Sequence, residues 1–531
     1  MTSPNASPRP GWIARAELLL LAIGIGLRMV RFMDQRPLWL DEAMLSLNVL
    51  RRSPIGLLQP LDRVQMSPLG FLWSEWLVTR LAGYSEHALR FLPMMAGVLG
   101  LMAFAHLARR LLEPLTALIA TALAALSPLL IYYSAEVKSY GFDFLASVLL
   151  MQTTLSLAAS PVRAAWLRWA LAAAFGALFS TAAPLFVAGS ALALVAAAPL
   201  RRNPRAWVAI IAAGTPAALI FLAQFFTIYH SSRTTAFMQL FWTESFLDLR
   251  SPGAVPQILH AARDLWAEVL FGQDMIESLP RKTMTVLLAS SAVGLAALGT
   301  TGPVTPVLLL APALFAGVAS FAKLWPITPR LLLFVAPTIL LTVPQGFATL
   351  ARALPRVTRF PAQTLLSLAV VVLGVVHLPR TRDAEARFVD VPGALREIGQ
   401  RATRDAAIYV GADLEAVCRY YLAWHPDRDR LRPDTSARVC RLRDTQTVIG
   451  FYPEFVGLRP GQAINGPRAI RPDWLQSEAR RITDTPASEI WVLISNNALI
   501  AVLPERLEAS GLRRTRERRT STYLLVSYTR P

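Results

Sequence analysis

Cysteine and histidine are scarce in this chain of 531 residues, with two of the first and six of the second. Two cysteines exclude a small disulfide-built scaffold. The histidines, His87, His106, His230, His260, His377 and His425, are scattered without the spacing that a zinc site requires. Charge is short as well: 17% of residues are charged while 54% are hydrophobic, a balance that would leave a soluble protein with too much apolar surface. Acids are outnumbered 35 to 53, giving a net charge of +18. The arginines nevertheless fall mostly in short links between apolar runs, where they meet anionic headgroups and set topology. No nucleic-acid partner is therefore expected. Neither G-x-x-x-x-G-K-[ST] nor G-x-G-x-x-G occurs, so the usual cradles for nucleotide phosphates are missing. No repeat of fixed period is present, and the only biased tract is the Ser/Pro-rich first ten residues.

What is present is apolar sequence gathered into runs long enough to cross a hydrocarbon core of ~30 Å. Spans are expected near 12–30, 88–107, 115–131, 142–157, 166–180, 184–200, 207–228, 284–299, 304–321, 331–345 and 365–377. The stretch 68–82 is shorter and carries Glu75 and Arg80, which predicts an interfacial helix in the first outer loop. About eleven transmembrane helices with the start inside put Arg109, Arg110, Arg163, Arg168, Arg201, Arg202, Arg205, Arg352, Arg356 and Arg359 on the cytoplasmic side, as the positive-inside rule asks. After Pro379 charged residues become frequent and no window could span. The division is thus 1–379, a membrane domain, and 380–531, a soluble extracytoplasmic α/β domain. Its expected strands lie near 407–410, 447–452, 490–495 and 523–528, and its helices near 394–402, 414–424 and 505–510. Both cysteines, Cys418 and Cys440, lie here. They are either a disulfide of an oxidising compartment or two buried thiols. The basic run 513–519 reads as a solvated turn, and the D-x-D pair Asp427 and Asp429 as solvated surface.

Ionisable groups beside spans are default functional candidates because they are costly in or near lipid. Asp41 and Glu42 follow the first span at the start of an apolar helical pattern, where acids also suit a first helical turn. Tyr132, Tyr133, Glu136, Lys138, Tyr140 and Asp143 crowd the link before the fourth span; tyrosines there are also ordinary interface residues. Lys323 and Arg330 precede the tenth span and are either a phosphate clamp or snorkelling anchors. The topology puts all three clusters on the outer face, where they can converge on an amphiphile with a charged head. In the long outer segment 229–282, aromatic and polar residues such as Trp242 suit either sugar contact or a membrane-lying loop.

The order of W-L-D-E-A after the first span, S-E-H-A-L-R-F-L-P, S-P-L-L-I-Y-Y-S-A-E-V-K-S-Y and P-I-T-P-R-L-L-L-F resembles the C-type membrane glycosyltransferases, near the protein mannosyltransferase and lipid A aminoarabinose transferase branch. The resemblance implies a sugar donor on a polyprenyl phosphate, a lipid, glycan or protein acceptor, and inverting displacement in a bacterial inner membrane. It implies Asp41 as general base or organiser of the acceptor hydroxyl, with Glu42 in support. Glu136 and Tyr133 would bind substrate, and Lys138, Tyr140, Lys323 and Arg330 would hold the phosphate. Some members use a divalent cation (Mg or Mn); here Asp41 and Glu42 would be its oxygen ligands. The competing class is a transporter or flippase for a lipid-linked glycan, which would place polar residues deep in several spans.

Overall fold

Proline and small polar residues set where the helices begin. In the computed structural model, which describes residues 10–34, 36–197, 203–248, 250, 253–273, 279–353, 389–403, 405–424, 439–442, 446–450, 472–495 and 497–531, α1 is Gly11–Met33, α2 Leu40–Arg51, α3 Leu69–Ala82 and α4 Glu86–Leu111. Ser85 caps α4 by accepting the Ala88 N–H at 3.2 Å. Next come α5, Pro114–Leu126, and α6, Pro128–Tyr133. The single span expected over 115–131 is therefore broken. A residue before proline avoids helical ψ, and Ser127 sits at ψ 115° before Pro128, ending one helix and capping the next. α7 is Tyr140–Ala159, α8 Arg163–Phe179, α9 Ala183–Ala196, α10 Pro204–Gln224, α11 Ala254–Phe271, α12 Arg281–Gly299, α13 Val304–Phe321 and α14 Ala336–Arg352. A 3-10 segment, Pro329–Val335, leads into α14.

Six helices among the described residues are long and apolar enough to cross a membrane: Glu86–Leu111, Tyr140–Ala159, Pro204–Arg233, Arg281–Gly299, Val304–Phe321 and Pro329–Arg352. Shorter apolar helices are α5 and α9. Leu99, Met102, Ile211, Leu219, Leu314 and Val318 stand exposed on such helices, an outward apolar surface that lipid would cover. The chain is a multi-pass membrane protein. A helix, α3, is present over the stretch 68–82, and the run 365–377 lies outside the described residues.

The C-terminal region carries a six-stranded mixed sheet of β1 Ala407–Val410, β2 Val439–Leu442, β3 Gln446–Gly450, β4 Glu489–Ile494, β5 Arg513–Arg519 and β6 Leu524–Thr529, in the order β2-β3-β1-β4-β6-β5. Central β1 pairs in parallel with β3 and β4, while the outer pairs are antiparallel. Both β1 and β4 are buried throughout because helices cover both faces. Side chains alternate accordingly: Ile408, Val410, Trp491 and Leu493 join one core with α15 (Val391–Arg401) and α16 (Ala412–Ala423). Ala407, Tyr409, Ile490 and Val492 face α17 (Pro472–Thr483) and α18 (Asn497–Ala509). The basic run is a correction: residues 513–519 form an exposed edge strand, not a turn. Arginines suit such an edge because charge blocks further strand pairing. Cys418 is buried on α16 and Cys440 lies in β2. The side chain of Cys440, with Asp427 and Asp429, lies outside the described residues.

Candidate active site

The start of α2 is fixed by a buried ion cluster around Glu42. Glu42 Oε1 accepts from Arg36 Nη2 (3.4 Å), Arg90 Nε (3.0 Å) and the Val137 amide (3.0 Å). Its Oε2 accepts from Arg36 Nη1 (3.2 Å), Arg90 Nη2 (2.9 Å) and the Trp39 amide (3.2 Å). The guanidinium groups also donate to backbone: Arg90 to the carbonyls of Arg36 and Pro37, and Arg36 to Ala135. Three segments distant in sequence are thereby joined. Burial opposes ionisation of Glu42, but the charges of Arg36 and Arg90 outweigh it and hold the carboxyl at about 2. Such a cluster tolerates burial only when every partner is in place.

Asp41, one residue earlier, points elsewhere and remains 29% exposed. Its Oδ2 stands 4.0 Å from Lys138 Nζ and 3.8 Å from Arg330 Nη1. These separations are ionic but exceed hydrogen-bond length. Lys138 is aimed by Gln65, whose Oε1 accepts from Nζ at 2.8 Å. Arg330 lies over the ring of Trp242 at 5.2 Å, an arrangement that steadies a guanidinium without consuming its N–H donors. The rings of Tyr133 and Tyr140 meet edge to face at 5.1 Å. Burial and the nearby Glu136 carboxyl push the Tyr133 phenol upward, so it stays a neutral hydroxyl. Glu136 is itself buried, accepting from Trp39 Nε1 at 2.6 Å through Oε1, with Oε2 left without a hydrogen-bond partner. Burial, then the charge of Glu42, raise its carboxyl to about 7 against the pull of Arg36, Lys138 and Arg330. Glu268 on α11, also raised to about 7 by burial and by Asp264, feels the Arg330 charge as well.

The two carboxylates named as metal ligands do not fit that task. Both oxygens of Glu42 are occupied by three N–H donors each, and Asp41 faces two cations. No group of three or more His, Cys, Asp or Glu side chains with metal-binding geometry occurs among the described residues. Lys323 is exposed after α13 with φ 55°, and among the described residues no ion pair joins it to Asp41.

This architecture has counterparts among solved structures. ArnT from Cupriavidus metallidurans, crystallised with undecaprenyl phosphate, superposes with a TM-score of 0.53 at 15% identity, over 97% of this chain and 98% of that one. The fold is that of the C-type membrane glycosyltransferases. Apo ArnT gives the same TM-score at 16% identity and the same coverage. A second C-type structure, the Archaeoglobus fulgidus oligosaccharyltransferase in complex with zinc and sulfate, matches with a TM-score of 0.50 at 13% identity, over 76% of this chain and 61% of its own. Residues 66–242 match the family model of dolichyl-phosphate-mannose-protein mannosyltransferases. No curated protein matches the sequence. The resemblance drawn from the sequence segments is thus borne out at the level of the C-type fold.

Within that fold, the stretches 36–42, 133–140 and 330 meet, bringing together Asp41, Glu42, Tyr133, Glu136, Lys138, Tyr140 and Arg330. Sequence reasoning missed Arg36, Arg90, Gln65 and Glu268. Arg36 and Arg90 lie inside the very segments R-P-L-W-L-D-E-A and S-E-H-A-L-R, so an arginine set in apolar sequence beside a helix start was the available signal.

Proposed function

We propose that this chain is a membrane glycosyltransferase that moves a sugar from a polyprenyl phosphate to an acceptor hydroxyl on the outer face of a bacterial inner membrane. The observation that carries the reading is the position of Asp41 Oδ2 between Lys138 and Arg330, part exposed, at a rim of apolar helices. A carboxylate and two cations that have not closed into hydrogen bonds leave room for a phosphate to take the cations. The acceptor oxygen then attacks the anomeric carbon opposite the phosphate, forming the new glycosidic bond as the C–O bond to phosphate breaks. Asp41 takes the acceptor proton, and Lys138 and Arg330 hold the charge growing on the departing polyprenyl phosphate. Glu136 and Tyr133 offer hydrogen bonds to sugar hydroxyls, and Tyr140 lines the same cup. Glu42 acts by fixing the helix that bears Asp41.

The placement of Arg90 and Asp143 does not favour transport. Arg90 and Asp143 lie within about one turn of the ends of α4 and α7 that carry the site, not along a path through the bilayer.

The test is transfer from a radiolabelled polyprenyl-phosphate sugar in nanodiscs. Asp41→Asn should lower turnover at least ~10³-fold, the scale of lost acid–base and electrostatic help, while donor still binds. Turnover within threefold of the parent would remove Asp41 from the mechanism, and movement of intact donor across vesicles would favour the transporter.

A further inference from the structure

The C-terminal domain meets the membrane domain at the two segments that present the site. α16 packs along α2, and Leu414, Val417 and Tyr421 share one apolar core with Leu38, Ala43, Leu47 and Leu50. Into this apolar contact is set a polar one. The buried Leu38 amide donates to Tyr421 Oη at 2.9 Å, and Tyr421 Oη donates to Glu86 Oε1 at 2.8 Å. Beside it, Tyr420 Oη donates to the Tyr84 carbonyl at 2.5 Å. Leu38 precedes α2, so its N–H has no place in a helical ladder. It lies between Arg36, which grips Glu42, and Trp39, which grips both Glu42 and Glu136. The second meeting point is Arg63, whose guanidinium makes a forked pair with Glu415 on α16 at 3.0–3.3 Å. Arg63 and Val64 both adopt positive φ, 58° and 56°, a backbone form that a β-branched residue keeps only when its surroundings impose it. The next residue is Gln65, the one that aims Lys138.

We infer that Tyr421 is a positioning residue: the soluble domain sets where Asp41 stands by giving the Leu38 amide its acceptor, and Glu415 holds the Gln65 turn in the same way. The inference rests on the proposed sugar transfer for its kinetic consequence, not for its structural one. Apolar packing docks the domain; the hydroxyl fixes the entry to α2. Removing the hydroxyl leaves the docking intact and frees the backbone before Asp41, so proton abstraction suffers while the phosphate clamp of Lys138 and Arg330 keeps its grip.

The experiment uses the full chain in nanodiscs, comparing the parent with Tyr421→Phe, which retains the ring. Amide hydrogen exchange across 36–43 should quicken at least ~10-fold at Leu38, with the thermal midpoint unchanged. With the labelled polyprenyl-phosphate sugar, kcat should fall ~10-fold while KM stays within twofold. Glu86→Ala, which removes the acceptor of the Tyr421 hydroxyl without touching the soluble domain, should raise exchange at Leu38 in the same direction. Unchanged exchange in both variants overturns the inference, as does a kcat per folded molecule equal to the parent's. The exchange arm needs no turnover, so a parent protein that transfers no sugar would defeat the proposed function and still leave the brace decided.

Discussion

Asp41 and Glu42 are successive on a helix, so their side chains leave it about 100° apart, and this turn separates two tasks. One side chain enters the buried arginine cluster and the other stands part exposed beside Lys138 and Arg330. Replacing Glu42 with Ala leaves Arg36 and Arg90 buried without their anion. The expected cost is ~3–5 kcal/mol, read as a lowered thermal midpoint with loss of the folded yield. Glu136 supplies a prediction with a sign. Its carboxyl rises to about 7 on burial and beside Glu42, so the folded chain holds a proton that the unfolded chain releases near 4.5. Its contribution to stability is full below that lower value and is lost as pH rises through about 7. Glu136→Gln should therefore raise the thermal midpoint at pH 8 by a few degrees relative to the parent, the difference closing at pH 4.5. A constant difference across that range would mean that Glu136 does not titrate there. The acid pair was legible in the sequence because two carboxylates beside a span are rare. The division between them was not, because it depends on Arg90, forty-eight positions along the chain.

At the scale of elements, the helices were legible where hydrophobic runs are long and uninterrupted. The expected ends at 304–321 coincide with α13, and the 284–299 run lies within α12. They were less legible where a local rule cuts a run, as Ser127-Pro128 does between α5 and α6. That interruption matters to the site, since α6 ends at Tyr133 and the following link carries Glu136 and Lys138. Helix pairing also depends on small residues that periodicity does not single out. α12 and α14 approach so closely that a Cβ added to Gly346 would stand 1.8 Å from the Ser290 carbonyl oxygen, and one on Gly294 would stand 2.0 Å from that of Thr342. Close backbone approach of this kind is how helices associate in lipid. Gly346→Leu should separate the pair, shift Arg330 through the Pro329–Val335 segment, and lower both folded yield and transfer. Full yield and full transfer in detergent-solubilised protein would show that the pair can spread without consequence. In the C-terminal region the buried strands β1 and β4 were read closely from their apolar runs, while β5 escaped because seven exposed residues carry no core-facing alternation.

For the whole molecule, composition predicts a membrane part followed by a charged C-terminal part, and the six-stranded sheet lies in the latter. Composition could not reveal how the parts join, because Arg63 and Glu415 are 352 positions apart and no local pattern records such a pair. The joint is testable by charge reversal. Arg63→Glu or Glu415→Arg alone should weaken docking and reduce transfer ~10-fold, as expected for truncating one partner of a largely buried pair. The double exchange should recover a substantial part of it. Limited proteolysis of the C-terminal domain would report the docking directly, and absence of any recovery would mean that the pair's orientation, not its charge, is what holds the joint.

The brace on Leu38 comes from residues that the ribosome adds after the apolar helices. Every segment bearing Asp41, Lys138 and Arg330 is synthesised before Tyr421 exists, so a nascent chain already threaded into its membrane lacks the support until Tyr421 has been made. Maturation is then a matter of timing: competence arrives with the closing domain, and a chain truncated by a late stop codon inserts normally yet carries an unbraced site.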